Sequence, residues 1–290
     1  MEGHLTSKDH RKEVETAGRF DFGQNWTRFL ELVDAERIER AERSLANALE
    51  VEDLKGKRFL DVGCGSGLFS LAAHRLGAAV RCFDYDPRSA ACTRELKRRF
   101  APEASDWVIE EGSVLDADYL NSLGDWDVVY SWGVLHHTGA MWEALENVCG
   151  LVAPGGKLFI AIYNDQGRAS RRWLAVKKAY NALPSPLRWI ILLPAFLRLW
   201  GPTFVRDALS GRPFSTWSGY TASGRGMSPW RDVVDWVGGL PFEVSRPEEV
   251  FDFCRRRGFT LLRLATAGGG HGCNEFVFER SAAGGAAAGG

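Results

Sequence analysis

The sequence has neither of the features that most directly declare a secreted or membrane-spanning protein. Its six cysteines, Cys64, Cys82, Cys92, Cys149, Cys254 and Cys273, include no C-x-x-C pair. That spacing argues against a zinc centre or a disulfide framework and for reduced thiols, as expected of a cytoplasmic protein. No apolar run approaches the ~20 residues that a bilayer-crossing helix needs. The first residues, M-E-G-H-L-T-S-K-D-H-R-K-E, are polar, so no secretory signal is predicted. Net charge is also nearly lacking, at -1. A general polyanion binder is thereby excluded, and any basic surface must be local. Internal repeats are absent. Acids are missing from 167–200, a stretch otherwise rich in arginine and lysine.

With 45% of residues hydrophobic and 25% charged, 290 residues suffice to bury a large core. The chain is organised around Lys57–Leu71, K-R-F-L-D-V-G-C-G-S-G-L-F-S-L. A short apolar run meets a glycine turn, and an apolar helical pattern begins at Leu68. Such a strand, turn and helix bring a polar ligand against bare backbone at a helix N-terminus. Strand patterns follow at Ala79–Phe83, Trp107–Glu110, Trp126–Ser131 and Lys157–Tyr163, with helices between them. Asp86-Pro87 has the N-cap and first-turn chemistry of a helix start. Ala140–Leu151 reads as a helix stopped by Ala153-Pro154-Gly155-Gly156. This alternation predicts an α/β fold, a mostly parallel sheet with helices on both faces.

The rhythm breaks at 164–246, too long for a simple connection in a compact domain. Its helical patterns, prolines and tryptophans predict an inserted lid or substrate subdomain. Alternation then resumes with a helix from Arg246 to Arg257, a strand at Phe259–Ala265, the loop Gly268-Gly269-Gly270-His271-Gly272 and a last strand at Asn274–Glu279. Residues 1–18 are expected to be a mobile tail, 19–280 the domain proper, and 281–290 a flexible Ala/Gly tail. Between the first tail and the sheet lies a surface helix with Leu30, Val33, Ile38, Ala41, Leu45 and Leu49 on its apolar face.

What the glycine turn binds is less explicit. A dinucleotide site wants G-x-G-x-x-G. Here glycines stand at 63, 65 and 67, and Leu68 fills the next position; a purely structural turn is the alternative. About twenty residues on, the second strand ends at Asp84, where a carboxylate can accept both hydroxyls of a ribose. The turns after strands three and four, Glu110–Asp116 and Tyr130–His137, fall on the same carboxyl edge of the sheet.

With those segments assembled, the sequence resembles the class I S-adenosylmethionine (SAM)-dependent methyltransferases. The likeness rests on L-D-V-G-C-G-S-G, the strand end at Asp84, D-V-V-Y-S-W-G-V-L-H-H and L-V-A-P-G-G-K-L, across roughly 57–163. The long insertion beginning Tyr163-Asn164-Asp165-Gln166-Gly167 is most similar to that of quinone-biosynthesis O-methyltransferases. The resemblance implies a Rossmann-like seven-stranded methyltransferase sheet, its last strand antiparallel, with a largely helical insertion after strand five. It implies that Asp61 and the turn Gly63, Cys64, Gly65 and Gly67 hold the methionine end of SAM. Asp84 and Tyr85 would hold the ribose side, Ser113 and Val114 would border the adenine, and Ser131 and Trp132 would pass close to the cofactor. Ser113 stands where many members of the family carry Asp.

Methyl transfer from a sulfonium needs alignment and exclusion of water more than strong acid–base chemistry. His136 and His137 follow strand four on the ligand edge, and one of them is expected to act as base or to orient the acceptor. The other reading has one packing in the local turn and the other in solvent. His271 and Asn274 could face the substrate or belong to a flexible hairpin. Phe20, Phe22 and Trp26 could close over the cofactor or pack in the core. Asp232, Asp235 and Glu243 lack tight ligand spacing, so no metal site is expected. Within 184–200, basic residues flank Trp189–Leu197, which suits a membrane surface or a lipidic substrate, or else a packed lid helix. The expected activity is methylation of a small-molecule acceptor, by O-methylation of a hydroxylated aromatic or lipidic compound. RNA or protein N-methylation is the alternative, with a non-catalytic SAM-binding protein as a third; the nucleic-acid signal is not strong.

Overall fold

In the computed structural model, residues 10, 12–14, 16, 19–20, 30, 33–223, 228–268 and 270–282 are described. The sheet elements are β1 (Arg58–Val62), β2 (Ala79–Asp84), β3 (Trp107–Glu111), β4 (Trp126–Trp132), β5 (Val152–Tyr163), β6 (Phe259–Ala265) and β7 (Cys273–Arg280). They form one seven-stranded sheet in the order β3-β2-β1-β4-β5-β7-β6. The first five strands run parallel, and β7 lies antiparallel between β5 and β6. The expected fold class is the observed one. The central strands are apolar on both sides, as strands covered by helices must be. In β1, Leu60 and Val62 enter one core and Phe59 the other.

Each core is closed by its own helices. On one face lie α1 (Ala35–Leu49), α2 (Leu68–Arg75) and α3 (Pro87–Phe100), contributing Ile38, Leu45, Leu71 and Leu96. On the other lie α4 (Ala117–Leu123), α5 (Met141–Gly150) and α10 (Pro247–Arg255), contributing Leu120, Leu145 and Val250. The helix starts follow local chemistry. Asp34 accepts from Arg37 N, and Asp86 accepts from Arg88 N ahead of Pro87. Each cap satisfies an amide that the helix leaves orphaned.

Several strand boundaries differ from expectation. The segment Ala153–Gly156 lies inside β5 instead of before it, because Val152 already pairs with Trp126. The register then shifts so that Val128 meets Lys157, and the Pro154-Gly155 turn is extruded to the surface. Strands β3 and β4 each run one residue further than predicted, to Glu111 and Trp132, and β2 ends at Asp84.

Between β5 and α10 lie α6 (Arg168–Ala182), α7 (Trp189–Leu209), α8 (Ser215–Ser223) and α9 (Pro229–Gly238). They have a small core of their own, with Tyr180, Leu192, Ala195, Trp200, Val233 and Val237. Trp200 packs against Trp217 at 4.8 Å and Tyr220 at 5.3 Å between ring centroids. Each such aromatic pair contributes roughly 0.5–1.5 kcal/mol beyond area burial. Phe22, Trp26, Gly226 and Met227 lie outside the described residues.

The β1–α2 turn packs tightly against the loop after β4. Gly63 has φ +81°, and a Cβ there would lie 2.5 Å from Val134 Cγ1. Gly63→Ala should therefore cost about 1–3 kcal/mol in urea unfolding. Pairing it with Val134→Ala should lose less than the sum of the two single changes, the remainder being backbone strain.

Candidate active site

The carboxyl ends of β1, β2 and β4 and the loop after β3 surround one cavity of about 740 Å³. That is within the range that takes a drug-sized ligand. It continues beneath the insertion, where Leu199, Trp200, Tyr220, Val233 and Trp236 form its roof.

The floor is the glycine turn. Gly63, Gly65 and Gly67 all have positive φ, so the backbone coils back on itself above β1. Gly63 N and Cys64 N both donate to Phe83 O, and Thr93 Oγ1 donates toward Gly65 O at 3.2 Å. The turn is thus pinned to β2 and α3. Two carboxylates flank it. Asp61, only 2% exposed, accepts from Ser70 Oγ at 2.6 Å. Burial pushes its pKa up to about 7, against the effect of the Ser70 bond, with the neighbouring Asp84 charge adding to the rise. Asp84 accepts from Gly65 N and Asp86 N, both at 2.9 Å, and burial pushes its pKa up as well. An ionised carboxylate has about four lone-pair sites, so two remain for a ligand's hydroxyls.

Of the cofactor residues read from the sequence, Asp61, Gly63, Cys64, Gly65, Asp84 and Tyr85 line this cavity. So do Ser113, Val114 and Trp132. Ser113 Oγ accepts from Leu115 N at 3.1 Å, and Trp132 Nε1 donates to Glu275 at 3.0 Å. Gly67 and Ser131 do not line it. Gly67 caps α2, and the fully buried Ser131 hydroxyl donates to Val62 O at 3.0 Å beneath the strand ends. Their role is to shape the floor.

The two histidines separate. His137 lines the cavity, and its Nδ1 lies 2.6 Å from Pro241 O. A carbonyl can only accept, so Nδ1 carries the proton and Nε2 is left as an acceptor. Burial holds its pKa down at about 3, so the ring is neutral. His136 is fully buried outside the lining, with Tyr163 N donating to its Nδ1 at 3.3 Å and the rings 3.8 Å apart. The expected catalytic candidacy of His136 is corrected on this ground: packing against Tyr163 removes it from the cavity. His271 does line the cavity, accepting from Trp173 Nε1 at 3.3 Å. Asn274 does not; it ties Ala267 N to Asn164 Oδ1.

Several lining residues had no sequence signal. Arg37 and Arg40 belong to α1, a helix expected at the surface, and border the cavity. His10 falls within the expected tail but is buried against the cavity, 5.3 Å from the Tyr85 ring. Arg19 donates to His137 O and lies over Tyr85, while Glu13 accepts from both Arg19 and Tyr85. Asp232 and Asp235 both line the cavity, and Asp232 accepts from the Tyr220 hydroxyl. Glu243 instead accepts from Met141 N at the start of α5. Among the described residues, no group of three metal-ligating side chains converges.

A family model described as a methyltransferase domain matches residues 33–194. Among curated proteins the chain is similar to the ubiquinone biosynthesis O-methyltransferase of Caulobacter sp. (strain K31), 28% identical over 169 residues, covering 55% of this chain and 60% of that one. The Xanthomonas oryzae pv. oryzae (strain PXO99A) protein of the same name is 34% identical over 112 residues, covering 39% and 45%. The tRNA U34 carboxymethyltransferase of Methylococcus capsulatus is 32% identical over 141 residues, covering 48% and 42%. The chain spans only about half the length of these relatives, 42–60%. Among solved structures, magnesium protoporphyrin IX methyltransferase from Synechocystis PCC 6803 shares the fold, with TM-score 0.52 at 13% identity, covering 95% of this chain and 96% of that one.

The raised pKa of Asp61 has a measurable consequence. Between its usual value near 4 and about 7, the unfolded chain has released this proton while the folded one retains it. Its contribution to stability therefore falls as pH rises through that window. Asp61→Asn removes the titration, so its stability relative to the parent should improve by on the order of 1–3 kcal/mol from pH 5 to pH 8. Urea unfolding at the two pH values checks this; a constant difference would refute the buried-carboxylate reading.

Proposed function

The chain belongs to the methyltransferase-domain family, and from that premise we propose that it moves a methyl group from SAM to a hydroxyl of a small aromatic or lipidic acceptor. One observation carries the reading: a single cavity joins the carboxylate-flanked glycine turn to an aromatic chamber under the insertion. The named activity of the ubiquinone-biosynthesis relatives supports the choice of oxygen and of a ring acceptor.

The residues present fit the cofactor. Asp84 has lone pairs to spare for a ribose diol, and hydroxyls arriving there would favour its ionised form. Val114, buried at the cavity wall, and Tyr85 offer faces for a purine. Ser113 supplies a hydroxyl beside them, weaker than the Asp common in the family. Asp61 and the turn's backbone would hold the amino-acid end. Bound SAM would supply a methyl on a cationic sulfur with a neutral thioether as leaving group.

This chain's part is then to align an oxygen and keep water out. Trp200, Tyr220 and Trp236 enclose a flat apolar acceptor. The His137 ring, held by Pro241 O at the cavity wall, stands where it can orient the acceptor hydroxyl. A ring that stays neutral to about pH 3 orients that hydroxyl and polarises its O–H bond throughout the physiological range. The 164–246 insertion serves in this reading as the substrate-binding roof.

Asp84→Ala should weaken SAM binding tenfold or more, since charge-assisted hydrogen bonds are worth about 1.5–3 kcal/mol. Unchanged affinity by calorimetry would refute the ribose assignment. His137→Ala should lower turnover about 10²-fold with nearly unchanged SAM affinity, whereas His136→Ala should act on stability first. The acceptor class is tested with methyl-labelled SAM and a cell extract: label should enter a small phenolic or lipid fraction as an O-methyl ether. Label in RNA or protein would overturn the proposal, as would none in any fraction.

A further inference from the structure

Helix α7 breaks the rule that a surface helix turns its polar side to water. Its inner side is apolar, as expected: Leu192, Ala195 and Trp200 are buried. Its outer side is apolar too. Ile190, Leu193, Leu197, Val205 and Leu209 are all exposed. With Gly201 between Leu197 and Val205 they recur every three or four residues, so they form one continuous stripe. Trp189, 61% exposed, stands at its head, and Leu187 and Phe214 extend it beyond both ends. Over 21 residues the stripe is about 30 Å long. An exposed apolar band of that extent marks an interaction surface.

The surrounding charge indicates what covers it. From Gln166 to Arg231 the sequence holds a single acid, Asp207, and that one is buried and satisfied by Thr216. The exposed charges on α7 and just past its end, Arg198, Arg206 and Arg212, are all positive, as are the exposed Arg172 and Lys178 of α6. Apolar side chains rimmed by cations match an anionic lipid surface, with the chains entering the acyl boundary and the guanidinium groups meeting phosphates. Among the described residues no helix is long and apolar enough to cross a membrane, so the geometry is that of a helix lying in the interface plane.

We infer that the outer face of α7 docks this protein on anionic membranes. The same helix carries Leu199 and Trp200 into the cavity roof. Docking therefore sets the acceptor chamber one helix thickness from the lipid phase, where a hydrophobic acceptor would be held. That consequence rests on the methyl-transfer reading; the docking itself does not.

The test is sedimentation of the full chain with vesicles, without SAM. The parent should pellet with vesicles of phosphatidylcholine and phosphatidylglycerol, and much less with phosphatidylcholine alone. Leu193→Asp/Leu197→Asp should lower partitioning at least about tenfold with an unchanged unfolding midpoint. Arg198→Glu/Arg206→Glu, which keeps the apolar stripe, should erase the preference for the anionic vesicles. A parent that stays in the supernatant with both vesicles overturns the inference, as does equal binding by the Leu193→Asp/Leu197→Asp variant. A dimer in sedimentation velocity that this variant dissolves would assign the stripe to a second copy of the chain instead. Because SAM is absent, failure here leaves the calorimetric test of Asp84 standing, and the reverse.

Discussion

Between β1 and α2 the backbone is pressed against its neighbours on two sides, Gly63 against Val134 and Gly67 against Thr93. A side chain at either position would need space that β4's following loop and α3 already occupy. The close approach places the turn's amides between Asp61 and Asp84, so that Asp84 accepts from Gly65 N. It also brings the loop after β4, with His137, to the same edge as the glycines. The ligand edge of the sheet thus depends on a packing constraint that only glycine meets at these dihedrals.

The second constraint is burial of charge. Asp61 is enclosed with a single hydroxyl partner shown, Ser70, and a like charge nearby. Lys177, fully buried in the insertion, donates to Trp236 O and lies over the Trp236 and Phe242 rings, each 4.6 Å away. Its pKa falls to about 7 because burial outweighs the attraction of Asp235. Two buried ionisable groups therefore take part, Asp61 in the floor and Lys177 behind the roof residue Trp236. Each costs stability and each holds a wall in one arrangement. His137 belongs to the same logic: a neutral ring with one nitrogen committed has a defined tautomer.

Much of the fold was legible because its causes are local. Strand periodicity, the Asp86-Pro87 helix start and the glycines before Leu68 located five parallel strands within a few residues. The extrusion at Pro154-Gly155 was not legible, since it depends on Trp126 capturing Val152 from another strand. The cavity floor was legible for a related reason. Asp61, Gly65 and Asp84 sit at strand ends, and in a parallel sheet the strand ends share one edge.

What the sequence by itself determined was the sheet, the edge on which a ligand binds, and the residue types gathered there. Tertiary structure decided which side chains face the cavity. His136 and His137 are adjacent in sequence and alike in chemistry, yet Tyr163 takes one ring into the core and Pro241 holds the other at the wall. Asp232 and Asp235, with the pattern of helix-surface charges, face inward because α9 closes over the cavity. The apolar stripe of α7 was visible as composition, but its exposure was not. Hydrophobic periodicity states which residues share a face, and only packing across long sequence separations states what that face meets.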